Sequence, residues 1–224
     1  MTAAKTPKPT KSEKLAGERA RMAEIICALK RAYPDAECSL AYRNPFELLI
    51  ATMLSAQCTD ERVNRTTPTL FARYPTPEGL AAAKLEDIEE IVRPLGFFRA
   101  KAKAISETSR ALVENHGGKV PESLEALTEL RGVGRKTANV VLGNAFGVPG
   151  MVVDTHVGRI SRRMGFTRSV DPEEVEHELM ELVEKRDWTI YSHLLIFHGR
   201  AVCTARKAKC EECPFARLCP RILS

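Results

Sequence analysis

Four cysteines near the end of the chain have a spacing that suits a metal centre. The segment CTARKAKCEECPFARLC reads C-x6-C-x2-C-x5-C and contains Cys203, Cys210, Cys213 and Cys219. Four thiolates on one short loop can surround a single centre, and a C-x2-C pair supplies two of them from one tight turn. Zinc and a [4Fe–4S] cluster use the same ligands, so the spacing leaves both open. A disulfide framework is disfavoured because the chain has an odd number of cysteines, seven, with four crowded into this segment.

Three cations, Arg206, Lys207 and Lys209, lie between the first two of these cysteines. A metal centre would stiffen the loop that displays them, and such a loop suits a phosphate backbone. The alternative is a structural staple whose basic surface is simply solvated.

The stretch LTELRGVGRKTANVV predicts two helices joined by a tight turn. Gly132 and Gly134 permit the turn and leave backbone N–H groups beside a helix N-terminus, which together form a concave site for an anion such as a phosphate. The spacing is not that of a P-loop and no strand precedes it, so a nucleic-acid backbone suits the site better than a nucleoside triphosphate. A plain helical hairpin is the alternative. Arg135 and Lys136 then occupy the first helical turn, where the helix dipole disfavours positive charge.

The elements that would position these residues are helices. Ten segments carry apolar residues at helical spacing, separated by Pro, Gly or Asp. In MAEIICALKRAY, for example, Ile25, Ile26, Leu29 and Tyr33 recur three or four residues apart, and Pro34 ends the pattern. The only strand-like run, GMVVDTHV, is too short to found a sheet. The predicted fold class is all-α.

The composition sets broad limits on class and partners. The 224 residues are 44% hydrophobic, and 34 basic against 29 acidic residues give a net charge of +5, which is compatible with a polyanionic partner. The sequence has neither a run of about 18 apolar residues nor a secretory signal, so a cytoplasmic protein is expected. Residues 1–21, rich in Lys, Thr and Pro, are expected to form a flexible basic tail.

Taken together, these motifs resemble the helix-hairpin-helix DNA glycosylases. The segments LRGVGRKTANVVLGNAFG and VVDTHVGRISRRMGF and the four-cysteine loop occur in that family's order, after LLIATMLSAQCTDERVN and LGFFRAKAKAI. The resemblance covers roughly residues 22–219. It implies a two-lobed helical fold and an enzyme of base-excision DNA repair.

The resemblance also implies the reaction and the residues that perform it. It indicates a bifunctional DNA glycosylase and AP lyase that removes oxidised or ring-saturated pyrimidines, such as thymine glycol, and then cleaves the abasic strand by β-elimination. Lys136 corresponds to the nucleophile, and Asp154 to the catalytic aspartate of Val-Asp-Thr-His. The four cysteines correspond to ligands of a [4Fe–4S] cluster, which favours iron–sulfur over zinc.

This chemistry requires these residue types. Attack at the sugar C1′ needs a neutral amine, whereas an exposed lysine is almost wholly protonated at pH 7. A helix N-terminus, Arg135 and partial burial would each disfavour the ammonium form of Lys136. Asp154 would stay ionised, stabilise positive charge developing on the sugar and help to deprotonate the amine. It could equally be an ordinary N-cap of the next helix, and both roles can coexist.

The resemblance assigns DNA contacts as well. A base that leaves the duplex vacates space that a polar plug and an apolar wedge must fill, and these roles fall on Gln57 and, less typically for the family, on Phe97. Phe97 and Phe98 could instead be ordinary core aromatics. His156 is expected to have a structural or phosphate-contacting role.

The hairpin contributes the remaining expected contacts with phosphate, which are Arg131, Gly132, Val133, Gly134 and Arg135. Arg131 stands where the family usually has proline. Proline would stiffen the turn, whereas arginine adds a cation beside the phosphate site.

The family fold implies a division of the chain into lobes. After the tail, residues 22–38 and 148–224 would form the lobe that carries the cluster, and residues 39–147 the lobe that contains the hairpin. DNA would bind between them, with Lys136 and Asp154 facing each other. The expected partner is double-stranded DNA with damaged pyrimidines or abasic sites, bound by a monomer associated with the bacterial nucleoid, with no membrane involved.

Two other functions share part of this evidence. A monofunctional relative, such as an adenine or mismatch glycosylase, would keep the hairpin and the cluster but would not need Lys136. A non-catalytic DNA-binding module would explain the hairpin and the basic loops. It would leave the pair of Lys136 and Asp154 without a purpose.

Overall fold

Helices account for nearly all the regular structure in the computed structural model, which describes residues 10–222. Within this range lie eleven α-helices: α1 (Lys11–Ala32), α2 (Pro45–Leu54), α3 (Asp60–Arg73), α4 (Pro77–Ala82), α5 (Leu85–Val92), α6 (Phe98–His116), α7 (Leu124–Thr128), α8 (Arg135–Ala145), α9 (Thr155–Arg163), α10 (Pro172–Leu182) and α11 (Trp188–Ala201). The same residues contain no β-strand, only an isolated antiparallel bridge between Cys203 and Ala208. None of these helices is both long and apolar enough to cross a membrane. The predicted all-α class is confirmed.

Two compact units divide the chain. One contains the described residues up to Glu37 together with those from Met151 onward, and it includes α1, α9, α10, α11 and the cysteine loop. The other is Cys38–Gly150 and includes α2 to α8. Each unit buries its own hydrophobic core.

In the unit Cys38–Gly150, the hairpin is held by the core beneath it. The long helix α6 packs against α4 and α5, and α8 packs against α2 and α7. Leu130 and Val133 of the hairpin are almost fully buried with Ala138, Val141 and Leu142 of α8. Burial of these apolar side chains fixes the start of α8 relative to the unit.

The first helix begins eleven residues earlier than its apolar pattern, which starts at Met22, had indicated. Thr10 and Glu13 form a reciprocal capping box at its start. The Arg21 guanidinium donates to the carbonyls of Met164 (2.9 Å) and Leu218 (3.1 Å). The prediction of a flexible tail was therefore wrong for residues 11–21, because a cap and long-range hydrogen bonds order a segment with little apolar content. Residues 1–9 of that tail lie outside the described residues.

The segment PEGLAAAKLEDIEEIV, which predicted a single helical stretch, forms the two helices α4 and α5. Ala83 and Lys84 between them have extended backbone, with ψ of 146° and 136°. Thr76 caps α4 through the amide of Gly79. Helical spacing of apolar residues does not reveal this break, because the apolar pattern continues through it.

Candidate active site and cysteine centre

The turn between α7 and α8 is a tight hairpin whose glycine is required by its backbone. Gly132 has φ of +77°, a conformation that side chains rarely adopt. A Cβ there would also lie 3.4 Å from both the Ala104 Cβ and the Met53 Cε. The amide of Val133 donates to the carbonyl of Leu130 at 3.0 Å and closes the turn.

The N-terminus of α8 presents backbone donors without a side-chain cap. Gly134 is the N-cap residue, and as a glycine it has no side chain that could cap this end. A helix N-terminus of this kind favours an anion. The Val133 side chain is buried, so the DNA contact predicted for this residue could come only from its main chain.

Lys136 is the second residue of α8 and is exposed, beside the half-buried Arg135. The predicted placement of two cations in the first helical turn is confirmed. The expected partial burial of Lys136 is wrong, because its position on the helix surface points away from the apolar face formed by Ala138, Val141 and Leu142.

Arg131 is anchored at both its main chain and its side chain. The Thr108 hydroxyl donates to the Arg131 carbonyl at 2.7 Å. The Arg131 Nε lies 2.9 Å from Oε2 of Glu107, and its side chain is 66% exposed. Arg131, the cation predicted to lie beside the phosphate site, thus forms an ion pair with Glu107 of α6.

Gln57 and Phe97 lie together on one shallow concavity of this unit. Gly132 of the hairpin and Lys101 of α6 line the same surface. Gln57 and Phe97 both have left-handed backbone, with φ of +54° and +46°, and the Phe97 side chain is 70% exposed. Phe97 is therefore not a core aromatic, and strained residues of this kind tend to cluster at functional sites.

Asp154 is the N-cap of α9 in the other unit. Its Oδ1 accepts hydrogen bonds from the amides of His156 and Val157, both at 2.8 Å. Asp154 therefore has the capping role considered from the sequence, and its catalytic role stays a prediction. Lys136 belongs to Cys38–Gly150 and Asp154 does not, so their expected approach stays a prediction.

His156 is held by a neighbour one turn along α9. Its Nδ1 accepts from the Arg159 guanidinium at 3.2 Å, which is a structural contact, and the expected contact with phosphate stays a prediction. Gly199 of α11 makes this packing possible, because a Cβ on Gly199 would come within 2.5 Å of the His156 Nδ1.

Two arginines of α9 anchor the cysteine loop, and sequence reasoning had missed both. Arg159 donates to the Cys203 carbonyl at 2.9 Å. Arg163 donates to the carbonyl of Thr204 at 2.7 Å and to the Cys203 Sγ at 3.3 Å. Their spacing of four residues in RISRR places them on one face of the helix, which was the signal available in the sequence.

The four cysteines predicted as ligands line one cavity, together with His198 and Phe215. Cys213 Sγ lies 3.7 Å from the His198 Nε2, and burial lowers the pKa of His198 to about 4. The pKa of Cys213 is raised to about 11, mainly by burial and further by the three other thiols. Burial, with Cys203 and Cys210, likewise raises the pKa of Cys219. Such thiols become thiolates together only when a cationic centre compensates their charge.

In the part of the chain that the structure describes, no three His, Cys, Asp or Glu side chains converge closely enough to hold one ion. Zinc and a [4Fe–4S] cluster use the same four thiolate ligands. The iron–sulfur cluster expected from the resemblance therefore stays a prediction.

The loop between Cys203 and Cys210 presents its cations outward. Arg206, Lys207 and Lys209 are all exposed, and Lys209 lies 3.6 Å from Glu212. The Thr204 hydroxyl donates to the carbonyl of Lys207 and accepts from the amide of the same residue. The loop is thus ordered by its own hydrogen bonds as well as by α9.

Comparisons with known proteins agree with this geometry. Residues 50–185, more than half of the chain, match the HhH-GPD superfamily of base excision DNA repair proteins. The chain is 52% identical over 208 residues to endonuclease III of Synechocystis sp., which covers 92% of this chain and 95% of the relative. It is 50% identical over 188 residues to endonuclease III of Bacillus subtilis, covering 84% of this chain and 86% of the relative.

A solved structure shows the same fold. It is a trapped covalent intermediate of endonuclease III with DNA, in an estranged-adenine complex, and it aligns with a TM-score of 0.85 and 45% identity. The alignment covers 91% of this chain and 96% of that chain. The predicted family, the DNA-repair function and the enzyme class are confirmed. The chain therefore belongs to the HhH-GPD superfamily of base excision DNA repair proteins, within the endonuclease III group of bifunctional DNA glycosylases and AP lyases.

Proposed function

We propose that this enzyme releases oxidised or ring-saturated pyrimidines, such as thymine glycol, from duplex DNA and cleaves the resulting abasic strand by β-elimination. The observation that carries the proposal is the position of Lys136, an exposed amine one residue into an uncapped helix that follows the Gly-Val-Gly turn. The related endonuclease III that was trapped as a covalent intermediate with DNA supports it.

Lys136 is the proposed nucleophile. Its amine nitrogen bonds to the sugar C1′ as the bond from C1′ to the base breaks, and the base takes the electron pair. The sugar ring then opens to a Schiff base. This iminium accepts electrons when a proton leaves C2′, and the bond from C3′ to the phosphate oxygen breaks. The uncapped amides of α8 bind a backbone phosphate beside the lysine.

Asp154 is the proposed partner of this amine. An ionised carboxylate accepts the proton that the Lys136 ammonium group must lose before its amine can attack, and it stabilises positive charge on the sugar as the base departs. The two amides that bond its Oδ1 hold the carboxylate in one orientation and leave its other oxygen for this role.

Gln57 and Phe97 are proposed to fill the space that the extruded nucleotide leaves in the duplex, Gln57 as the polar plug and Phe97 as the apolar wedge. Both lie on one concavity with Gly132, so the same surface would contact the vacated stack and the nearby phosphate. The other proposed phosphate contacts are Arg131, Arg135, His156, Arg206, Lys207 and Lys209.

Cys203, Cys210, Cys213 and Cys219 are proposed to hold a [4Fe–4S] cluster. When bound, the cluster would supply the positive charge that keeps four half-buried thiols ionised and would fix the basic loop in place. We propose double-stranded DNA with damaged pyrimidines or abasic sites as partner, a monomer as the active form, and association with the nucleoid of a bacterial cell through DNA.

Borohydride trapping tests the reaction. Incubation with abasic-site DNA and sodium borohydride is expected to give a covalent protein–DNA adduct, because the reductant converts the Schiff base to a stable amine. Lys136→Gln should abolish the adduct. Lys119→Gln removes another exposed lysine of the same unit and should leave it intact. If folded wild-type enzyme gives no adduct with abasic-site DNA but releases thymine glycol from a duplex that contains it, the enzyme is a monofunctional glycosylase and the lyase is overturned.

A further inference from the structure

We propose that Lys101 is a positioning residue that holds Phe97 in the conformation of a wedge. The inference rests on the proposed function, in which Phe97 enters the DNA duplex. Lys101 itself would not contact the substrate. It would act on the three residues Leu95–Phe97 that lead into α6.

Lys101 bonds the backbone on both sides of the turn that displays Phe97. Its Nζ donates to the carbonyl of Leu95 at 2.9 Å, in a buried hydrogen bond. Its amide donates to the carbonyl of Phe97 at 3.0 Å, which is the ordinary first main-chain hydrogen bond of α6. The contact that depends on a lysine is therefore the bond from Nζ to Leu95, which ties α6 back to the residue before Gly96.

The turn needs an external constraint of this kind. Gly96 has φ of +68° and Phe97 has φ of +46°, so two consecutive residues are left-handed. Glycine adopts that region freely, but a bulky aromatic residue rarely does. The exposed Phe97 ring has little packing that would keep it there. Strained backbone of this type persists only where surrounding structure imposes it.

The burial of Lys101 is otherwise unexplained. The residue is 8% exposed, and no carboxylate forms an ion pair with it among residues 10–222. Burial lowers the pKa of Lys101, although Cys58 opposes that shift. Buried lysines usually have an anionic partner because desolvation of an ammonium group is unfavourable. The Lys101 amine instead donates to the carbonyl of Leu95, in the turn that displays Phe97. Its burial is explained if that turn must be rigid.

A double-mutant cycle tests whether Lys101 acts through Phe97. Lys101→Met keeps the apolar stem and removes only the amine, and it is compared with Phe97→Ala, with the double variant and with Lys103→Met. Lys103 is an exposed lysine on the same helix and serves as the matched control. Stopped-flow fluorescence of duplex DNA with 2-aminopurine beside thymine glycol reports base extrusion, and thermal unfolding reports the fold.

Lys101→Met and Phe97→Ala are each expected to reduce the rate of extrusion roughly tenfold, since displacement of a positioned group by about 1 Å can cost on the order of 100-fold. The double variant should be no slower than Phe97→Ala alone, and Lys103→Met should match wild type. Normal extrusion by folded Lys101→Met would overturn the inference. A further loss in the double variant would also overturn it, because Lys101 would then contact DNA directly.

Two further arms keep the test decisive. If Lys101→Met does not unfold cooperatively, Lys101→Gln is measured against the same expectations. Wild-type enzyme is treated with borohydride in parallel. Absence of the adduct would overturn the proposed function, whereas an adduct with unaltered extrusion by the Lys101 variants would overturn only the role of Lys101.

Discussion

The Arg131 side chain forms an ion pair within the protein and is also exposed enough to bind a phosphate. It occupies the proline position of the hairpin, and the structure places its guanidinium against Glu107 while leaving it largely exposed. The Thr108 hydroxyl fixes the carbonyl of the same residue. Two contacts with α6 thus restrain a turn that lacks the fixed φ of proline. Exposed ion pairs are weak, so a phosphate can compete with Glu107 for this cation.

Glu107→Gln is expected to strengthen DNA binding at low salt and to steepen its dependence on salt concentration. Release of Arg131 to one phosphate would change the slope of log K against log[salt] by about 0.9. Fluorescence anisotropy of a labelled abasic duplex over a range of salt concentrations measures this slope.

The combined variant Glu107→Gln with Arg131→Pro is the control for that experiment, and its slope should be shallower than that of Glu107→Gln by about 0.9, because the cation that contacts the phosphate is gone. If both proteins show the same slope as wild type, then Arg131 makes no phosphate contact and serves the hairpin alone.

Helix α9 joins the proposed catalytic carboxylate to the cysteine loop. Asp154 caps its first turn, and Arg159 and Arg163 bond the loop from its last two turns. Gly199 lets α11 approach closely enough to complete this packing. The helix is therefore fixed at both ends, and the position of Asp154 depends on elements far along the chain.

Substitutions of Asp154 should separate its capping role from its catalytic role. Asp154→Asn keeps an oxygen acceptor, so stability should stay near wild type while base release falls on the order of 100-fold. Asp154→Ala loses the cap as well, at about 1 kcal/mol. Urea unfolding and single-turnover base release measure the two effects.

Asp171 provides the matched control, because it caps α10 with the same geometry through the amides of Glu173 and Glu174. Asp171→Ala should reduce stability by about 1 kcal/mol and leave base release unchanged. An Asp154→Asn variant with near-normal activity would show that this residue is only a cap.

Local signals in the sequence predicted the parts of the site that depend on neighbouring residues. The glycine hairpin, the start of α8 at Arg135 and the cap at Asp154 follow from residue types within one turn of chain. The pairing of Arg131 with Glu107 could not be predicted, because it joins a residue of the hairpin turn to a residue of α6 that is 24 positions away in the sequence. Left-handed backbone at Gln57 and Phe97 also gives no signal, since neither residue is glycine.

At the scale of the whole molecule, the chain has two hydrophobic cores, one in each unit, and each core stabilises its own unit. The four cysteines and α9 belong to one unit, and the hairpin with Lys136 belongs to the other. Because each unit buries its own apolar side chains, loss of the proposed cluster should act on one core directly.

Cys213→Ser is expected to remove the visible absorption of an iron–sulfur cluster and to destabilise the unit that contains α1, α9, α10 and α11. A thermal unfolding midpoint lower by roughly 10 °C would correspond to a loss of about 2 kcal/mol in the free energy of unfolding of a domain of this size. Hydrogen exchange followed by mass spectrometry should show lost protection in α9 and α11. Residues 38–150 should keep theirs, and an equal loss in both units would contradict the division.

The exposed, left-handed Phe97 has a consequence for how damage is found. Its backbone is already set and its ring already projects before any duplex arrives. In the proposed role, Phe97 is already rigid while the protein scans undamaged DNA, so no free energy is needed to order a loop at each base pair. The energy needed to test a pair then comes from deforming the DNA, and weakly stacked, damaged pairs yield first. Discrimination would begin during the search, before any base enters the active site.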